Sequence, residues 1–154
     1  MPSKTRRNGK GTNAIKVLTE DHNKVQKIFE QFERTRDERR KAGMVETALH
    51  ELKVHTEIEE EIFYPAVRQA IEEDELMDEA TVEHESAKHL ISELEGMHPG
   101  DDLFDARFTV LGEYVKHHIR EEQREIFPLA KRAKKMDLDQ LGEQLLQRKK
   151  ELGG

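Results

Sequence analysis

The stretch HTEIEEEIFYP, residues 55–65, returns sixty-three residues later as HIREEQREIFP, residues 118–128. Histidine, the glutamate four residues on and the proline ten residues on recur at the same spacing. Each copy interrupts an otherwise apolar helical seam. Ile15, Leu18, His22, Val25, Phe29 and Phe32 follow one another at steps of three and four. So do Ala48, Leu52, His55, Glu59, Ile62 and Ala66, and then Met77, Ala80, His84, Ala87, Ile91 and Leu94. Phe104, Phe108, Leu111, Val115, His118, Glu122, Ile126 and Leu129 drift by one step, as a straight 3.6-residue period does. Four such faces predict an all-α fold, an antiparallel up-down-up-down four-helix bundle.

The breaks between the seams are short. Gly43 and its polar neighbours are expected to separate the first two helices, the acidic stretch Glu73–Glu75 the second and third, and Gly96, Pro99 and Gly100 the third and fourth. Proline at 65 and 128 is expected to kink or loosen the helices just beyond each copy. Residues 1–12 read as a disordered basic tail, 13–135 as the bundle, and 136–154 as a C-terminal amphipathic helix or arm. Of the 154 residues, 34% are hydrophobic and 38% charged, which suits narrow apolar seams on heavily solvated helices. The net charge of −7 argues against a nucleic-acid partner. Cysteine is absent, which excludes disulfides and thiolate metal sites. No apolar run approaches about 20 residues, so no membrane span is expected, and without a signal-peptide pattern the expected location is cytoplasmic.

Six ionisable residues sit on the seams: His22, His55, Glu59, His84, His118 and Glu122. The other four of the eight histidines, His50, His89, His98 and His117, fall off the seams or in the Gly/Pro turn. A lone core histidine finds a partner in most proteins. Six unpartnered groups would each cost on the order of 1–3 kcal/mol, more than a marginally stable domain carries. His22 to His55 spans 33 residues and His84 to His118 spans 34, with Asp21 and Glu83 preceding the first histidine of each half. Two helix pairs about an approximate two-fold axis would bring the halves together. Four imidazoles and two carboxylates exceed one tetrahedral zinc and suit two metal ions, each with two imidazoles and both carboxylates bridging. Nitrogen and oxygen ligands without sulfur favour iron or manganese, with zinc as an alternative.

These residues resemble the hemerythrin-like, or HHE cation-binding, family from about His22 to Pro128. The resemblance rests on the single histidine of each odd helix, the two His-x-x-x-Glu pairs and the endings IFYP and IFP. It implies a non-haem di-iron centre with His22 and His55 on one iron, His84 and His118 on the other, and Glu59 and Glu122 bridging beside an oxo or hydroxo group. The oxygen-carrying hemerythrins use a fifth histidine where this chain has Lys88, and His89, five residues beyond His84, is turned about 140° away towards solvent. The Glu-x-x-His pairs of ferritin-like di-iron bundles occur only as Glu95 with His98, across Gly96. Tyr114, four residues before His118, could bring its hydroxyl near the centre, while Tyr64 reads as a packing or helix-end residue. For both, a ring with its hydroxyl near water is the commoner arrangement. Glu60, Glu61, Glu121 and Glu125 read as solvated faces or partners of ligating imidazoles. The leading functional reading is a protein that binds a small ligand (oxygen, nitric oxide or peroxide) for sensing, storage or detoxification. The alternatives are a di-iron oxidoreductase, for example peroxide-decomposing, and a purely structural metal site.

Overall fold

The structure is a computed structural model and describes residues 13–154. The basic tail expected over residues 1–12 lies outside them. Helix α1, Ala14–Glu33, begins behind Asn13, whose side chain accepts from the backbone N–H groups of Ile15 and Lys16. Those donors have no partner of their own in a first turn. Asp37 caps α2, Glu38–Ile58, in the same way, accepting from the N–H of Arg39. α2 continues through a π-helical turn, Glu59–Phe63, into α3, Tyr64–Ala70. α4 spans Asp74–Glu95. α5, Phe104–Glu121, runs through a second π turn, Glu122–Ile126, into α6, Phe127–Arg132. α7 is Leu138–Glu151.

The four rods α1, α2–α3, α4 and α5–α6 form the antiparallel up-down-up-down bundle that the seams predict, and α7 packs mainly along α1. One expected break moves. Gly43 lies inside α2, solvent-facing with open space where a side chain would stand, and the turn falls at residues 34–37 instead. An exposed helical glycine costs only about 1 kcal/mol, and the Asp37 cap is the stronger local signal.

Two apolar clusters fill the bundle. One contains Leu18, Ile58, Phe63, Met77 and Ile126, and the other contains Val25, Leu52, Ile91, Phe108 and Ile119. Along every rod the six seam polar residues fall between these clusters, so they form a polar layer across the middle.

Beyond that layer the buried face departs from its expected positions, although Ile126 stays inside as the period predicts. The period predicts Ile62, Ala66 and Leu129 inside. The buried residues are Phe63, Tyr64 and Val67 in one repeat and Ile126, Phe127 and Ala130 in the other. In each repeat these stand four, five and eight residues after the glutamate. Each π turn explains the shift: the N–H of Tyr64 bonds to the carbonyl of Glu59, and that of Phe127 to Glu122, both across five residues. Pro65 and Pro128 follow directly, where the ladder is already re-registered, and the helices continue beyond them.

Candidate metal centre

Each rod contributes to the polar layer from its middle, between residues of the two apolar clusters. Two overlapping groups result. His22, His55, Glu59 and Glu122 form one and His84, His118, Glu59 and Glu122 the other, each offering ligand atoms within 4.8 Å of one another. His22 Nε2 lies 3.0 Å from Glu122 Oε1, and His55 Nε2 lies 3.1 Å from Glu59 Oε2. On the other side His84 Nε2 lies 3.0 Å from Glu59 Oε1, and His118 Nε2 lies 3.3 Å from Glu122 Oε2. Both glutamates are fully buried. Each spans the two halves, one oxygen towards each.

Three of the four outer ring nitrogens are fixed by carboxylates. His55 Nδ1 lies 2.9 Å from Asp21, His84 Nδ1 2.8 Å from Glu60 and His118 Nδ1 2.6 Å from Glu83. The acidic residue beside one histidine therefore serves the other histidine of its own half. Such bonds set the tautomer and turn Nε2 inwards. Lys88 Nζ lies 2.7 Å from the second oxygen of Glu60. The lysine at the fifth-histidine position thus buttresses His84 from outside. His89 is 76% exposed and faces Glu93 at 3.4 Å.

Among the described residues, six buried side-chain atoms have no hydrogen-bond partner: both nitrogens of His22, His55 Nε2, both oxygens of Glu59 and Glu122 Oε1. Some of these form imidazole–carboxylate pairs only 3.0–3.1 Å apart. They are close but not aligned as donor to acceptor. Two donors about 2.1 Å from one cation, at right angles to each other, stand about 3.0 Å apart. The spacing and the misalignment are those of atoms aimed at a shared cation, so the residue set fits a metal. The charges respond to one another strongly. Burial draws the His55 imidazole down, but Glu59 and Asp21 outweigh it and raise its pKa from 6.5 to about 10. His118 is raised well above its usual value, Glu122 and Glu59 overcoming the same desolvation. Burial pushes Glu59 up, yet the surrounding imidazoles hold it well below the usual carboxylate range. Burial and Glu59 push Glu122 up, and His118 and His22 bring it lower still.

These shifts predict how the metal-free protein responds to pH. A raised histidine contributes stability that is complete below its unfolded value of 6.5 and is lost as pH climbs through about 10. The depressed glutamates contribute above 4.5 and lose their contribution as pH falls through their folded values. The melting temperature of chelated protein is therefore expected to fall between about pH 6.5 and about pH 10. A thermal melt series across that range checks it, and a rising curve would contradict it. Metal must displace the same imidazole protons, so retained metal is expected to fall on acidification.

Of the two tyrosines, Tyr114 keeps the commoner arrangement and Tyr64 departs from it. Tyr114, on α5, is 48% exposed. Tyr64 is 4% exposed and sends its hydroxyl into the layer, donating to Glu122 and lying 3.0 Å from His118 Nε2 and 3.4 Å from His84 Nε2. In an α-helix a residue five beyond Glu59 sits about 140° away. The π turn brings it onto the glutamate's face. Burial, then the charges of Glu122 and Glu59, hold the phenol well above its usual pKa, so it remains a donor. In the second repeat the same place is Phe127, whose ring stacks on His22 at 5.9 Å. The halves therefore differ: one meets a phenol, the other a phenyl.

Opposite Tyr64 and Phe127 a cavity of about 30 Å³ reaches the four imidazoles. Val25, Leu52, Ala87, Ile91, Val115 and Ile119 wall it, with Tyr114 also in the lining. Among the described residues no helix is long and apolar enough to cross a membrane.

The family model described as hemerythrin HHE cation binding domain matches residues 13–130. A DNA nickase from Nostoc sp. (strain PCC 7120) is 29% identical over 111 residues, which cover 72% of this chain and 31% of that protein. The chain thus spans about a third of that relative. In the crystal structure of a hemerythrin HHE cation binding domain-containing protein from Mycobacterium kansasii the same fold recurs. It superposes with a TM-score of 0.76 at 22% identity, over 91% of this chain and 86% of that one.

Proposed function

The chain belongs to the hemerythrin HHE cation-binding domain family, and from that premise we propose a non-haem di-iron protein that binds a small ligand of the size of oxygen, nitric oxide or peroxide. One observation carries the reading: two four-residue sets of nitrogen and oxygen donors share both buried glutamates. A single-cation site has no use for two complete sets. His22 and His55 would hold one ion and His84 and His118 the other, with Glu59 and Glu122 bridging. Iron there would supply open coordination and a change of oxidation state.

The protein's own groups supply the rest. Asp21, Glu60 and Glu83 hold three imidazoles with Nε2 inwards. Tyr64 keeps a phenol proton beside Glu122, a donor at the His84/His118 half. The apolar wall excludes bulk water and leaves about 30 Å³, room for a water-sized or diatomic guest. With a net charge of −7 on the chain we propose no nucleic-acid role for this domain.

Metal analysis with the visible spectrum of freshly purified protein tests the reading. About two irons per chain, and a spectrum that changes reversibly with oxygen or nitric oxide, is the expected result. Sustained consumption of added peroxide, abolished by Glu122→Ala, would instead support the oxidoreductase alternative. Equal stability with zinc and no redox-linked spectrum would sink both in favour of a bracing site.

A further inference from the structure

α7 lies beyond residues 13–130, the stretch matched by the family model, yet it reaches the centre. Leu145 is fully buried and anchors the helix in the apolar cluster around Leu18 and Ile58. One turn further along the same face, Lys149 Nζ lies 2.5 Å from Asp21 Oδ1. The other oxygen of Asp21 lies 2.9 Å from His55 Nδ1. Asp21 is only 8% exposed, so both of its oxygens are committed inside the protein. The neighbouring Arg148 grips Glu61 through two nitrogens, at 2.8 and 3.3 Å, and Glu61 belongs to the π turn that Glu59 opens. The opposite half is buttressed by other elements. Lys88 of α4 holds the Glu60 that holds His84, and the Glu83 that holds His118 faces His117 of α5.

We propose that Lys149 is a positioning residue for the His22/His55 half of the centre. By holding Asp21 it fixes the ring of His55, so cation retention at that half depends on α7 and retention at the other half does not. The inference rests on the two-cation reading above. Without the ammonium group, one oxygen of a buried carboxylate loses its partner and Asp21 gains rotational freedom. The imidazole it orients loosens with it. Loss of such a partner of a ligating histidine weakens metal binding by about 10- to 100-fold.

The test follows iron remaining on the loaded full chain against time after addition of a chelator, in wild type, Lys149→Met, Lys149→Arg, Asp21→Asn and the Lys149→Met/Asp21→Asn pair. Methionine keeps the apolar stem in place. Lys149→Met is expected to release one of two equivalents about 10- to 100-fold sooner, with the second leaving at the wild-type rate. Arginine should restore slow release, Asp21→Asn should reproduce the fast phase, and the pair should be no faster than either alone. Release at wild-type rates in Lys149→Met overturns the inference. So does equal acceleration of both equivalents, which would mean that α7 only stabilises the fold. Wild-type protein that takes up fewer than two cations overturns the two-cation reading and this inference together, whereas two cations indifferent to Lys149→Met overturn this inference alone.

Discussion

Stripping the metal by chelation is expected to lower the melting temperature by about 10 °C or more. The groups concerned cross the middle of the bundle, between its two apolar clusters. Without a cation, six of their buried atoms lack a hydrogen-bond partner and the two glutamate side chains face each other's charge. A ligand present at a thousand times its dissociation constant stabilises the folded state by about 4 kcal/mol. In a domain of this size each kcal/mol moves the midpoint by about 2–4 °C. Scanning calorimetry of loaded, chelated and reloaded protein measures the change. Coincident loaded and chelated melts would show that the layer is satisfied without metal, and the centre as described would fail.

The second large effect concerns the glutamates. Glu59 and Glu122 belong to both ligand sets, whereas each histidine belongs to one. Glu59→Gln or Glu122→Gln alone should therefore strip both cations, while His55→Ala should weaken only its own half. The amide keeps the size and one acceptor oxygen but turns the other position into a donor, which no cation accepts. Breaking one partner of a buried charged set costs about 3 kcal/mol or more, roughly two orders of magnitude in affinity. Metal content after desalting is expected to drop from two equivalents towards none in either glutamine variant. A Glu122→Gln protein that kept one cation tightly would show that the carboxylates serve the two ions separately.

Much of the fold was legible because burial imposes a period. The seams mark the bundle, and their interruptions separate the histidines correctly: His22, His55, His84 and His118 meet in the layer, while His50, His89, His98 and His117 are exposed. The helix ends were less legible. Gly43 suggested a break that the cap at Asp37 places six residues earlier, because the cap satisfies an otherwise unpaired N–H and a lone glycine only weakens a helix.

The period also failed just past each glutamate. A spacing rule assumes one hydrogen-bond register, and both π turns change it. That is why Tyr64, five residues beyond Glu59, read as a packing or helix-end residue although its hydroxyl enters the layer. The IFYP and IFP endings carried a clue, since a proline behind the glutamate invites a re-registered ladder. Spacing alone could not say that the ladder would widen there instead of kinking.

What the amino-acid order determined by itself is the pattern that recurs along one chain: four amphipathic faces, the duplicated pair of histidine and glutamate, and the residues that interrupt an apolar stripe. Tertiary structure alone decided which carboxylate reaches which imidazole, that a phenol enters one half and a phenyl the other, and that Lys149 meets Asp21 across 128 residues. Periodicity is a property of a single helix, so it can be counted. Contacts between helices depend on their register against one another, and the two widened turns and the docking of α7 set that register.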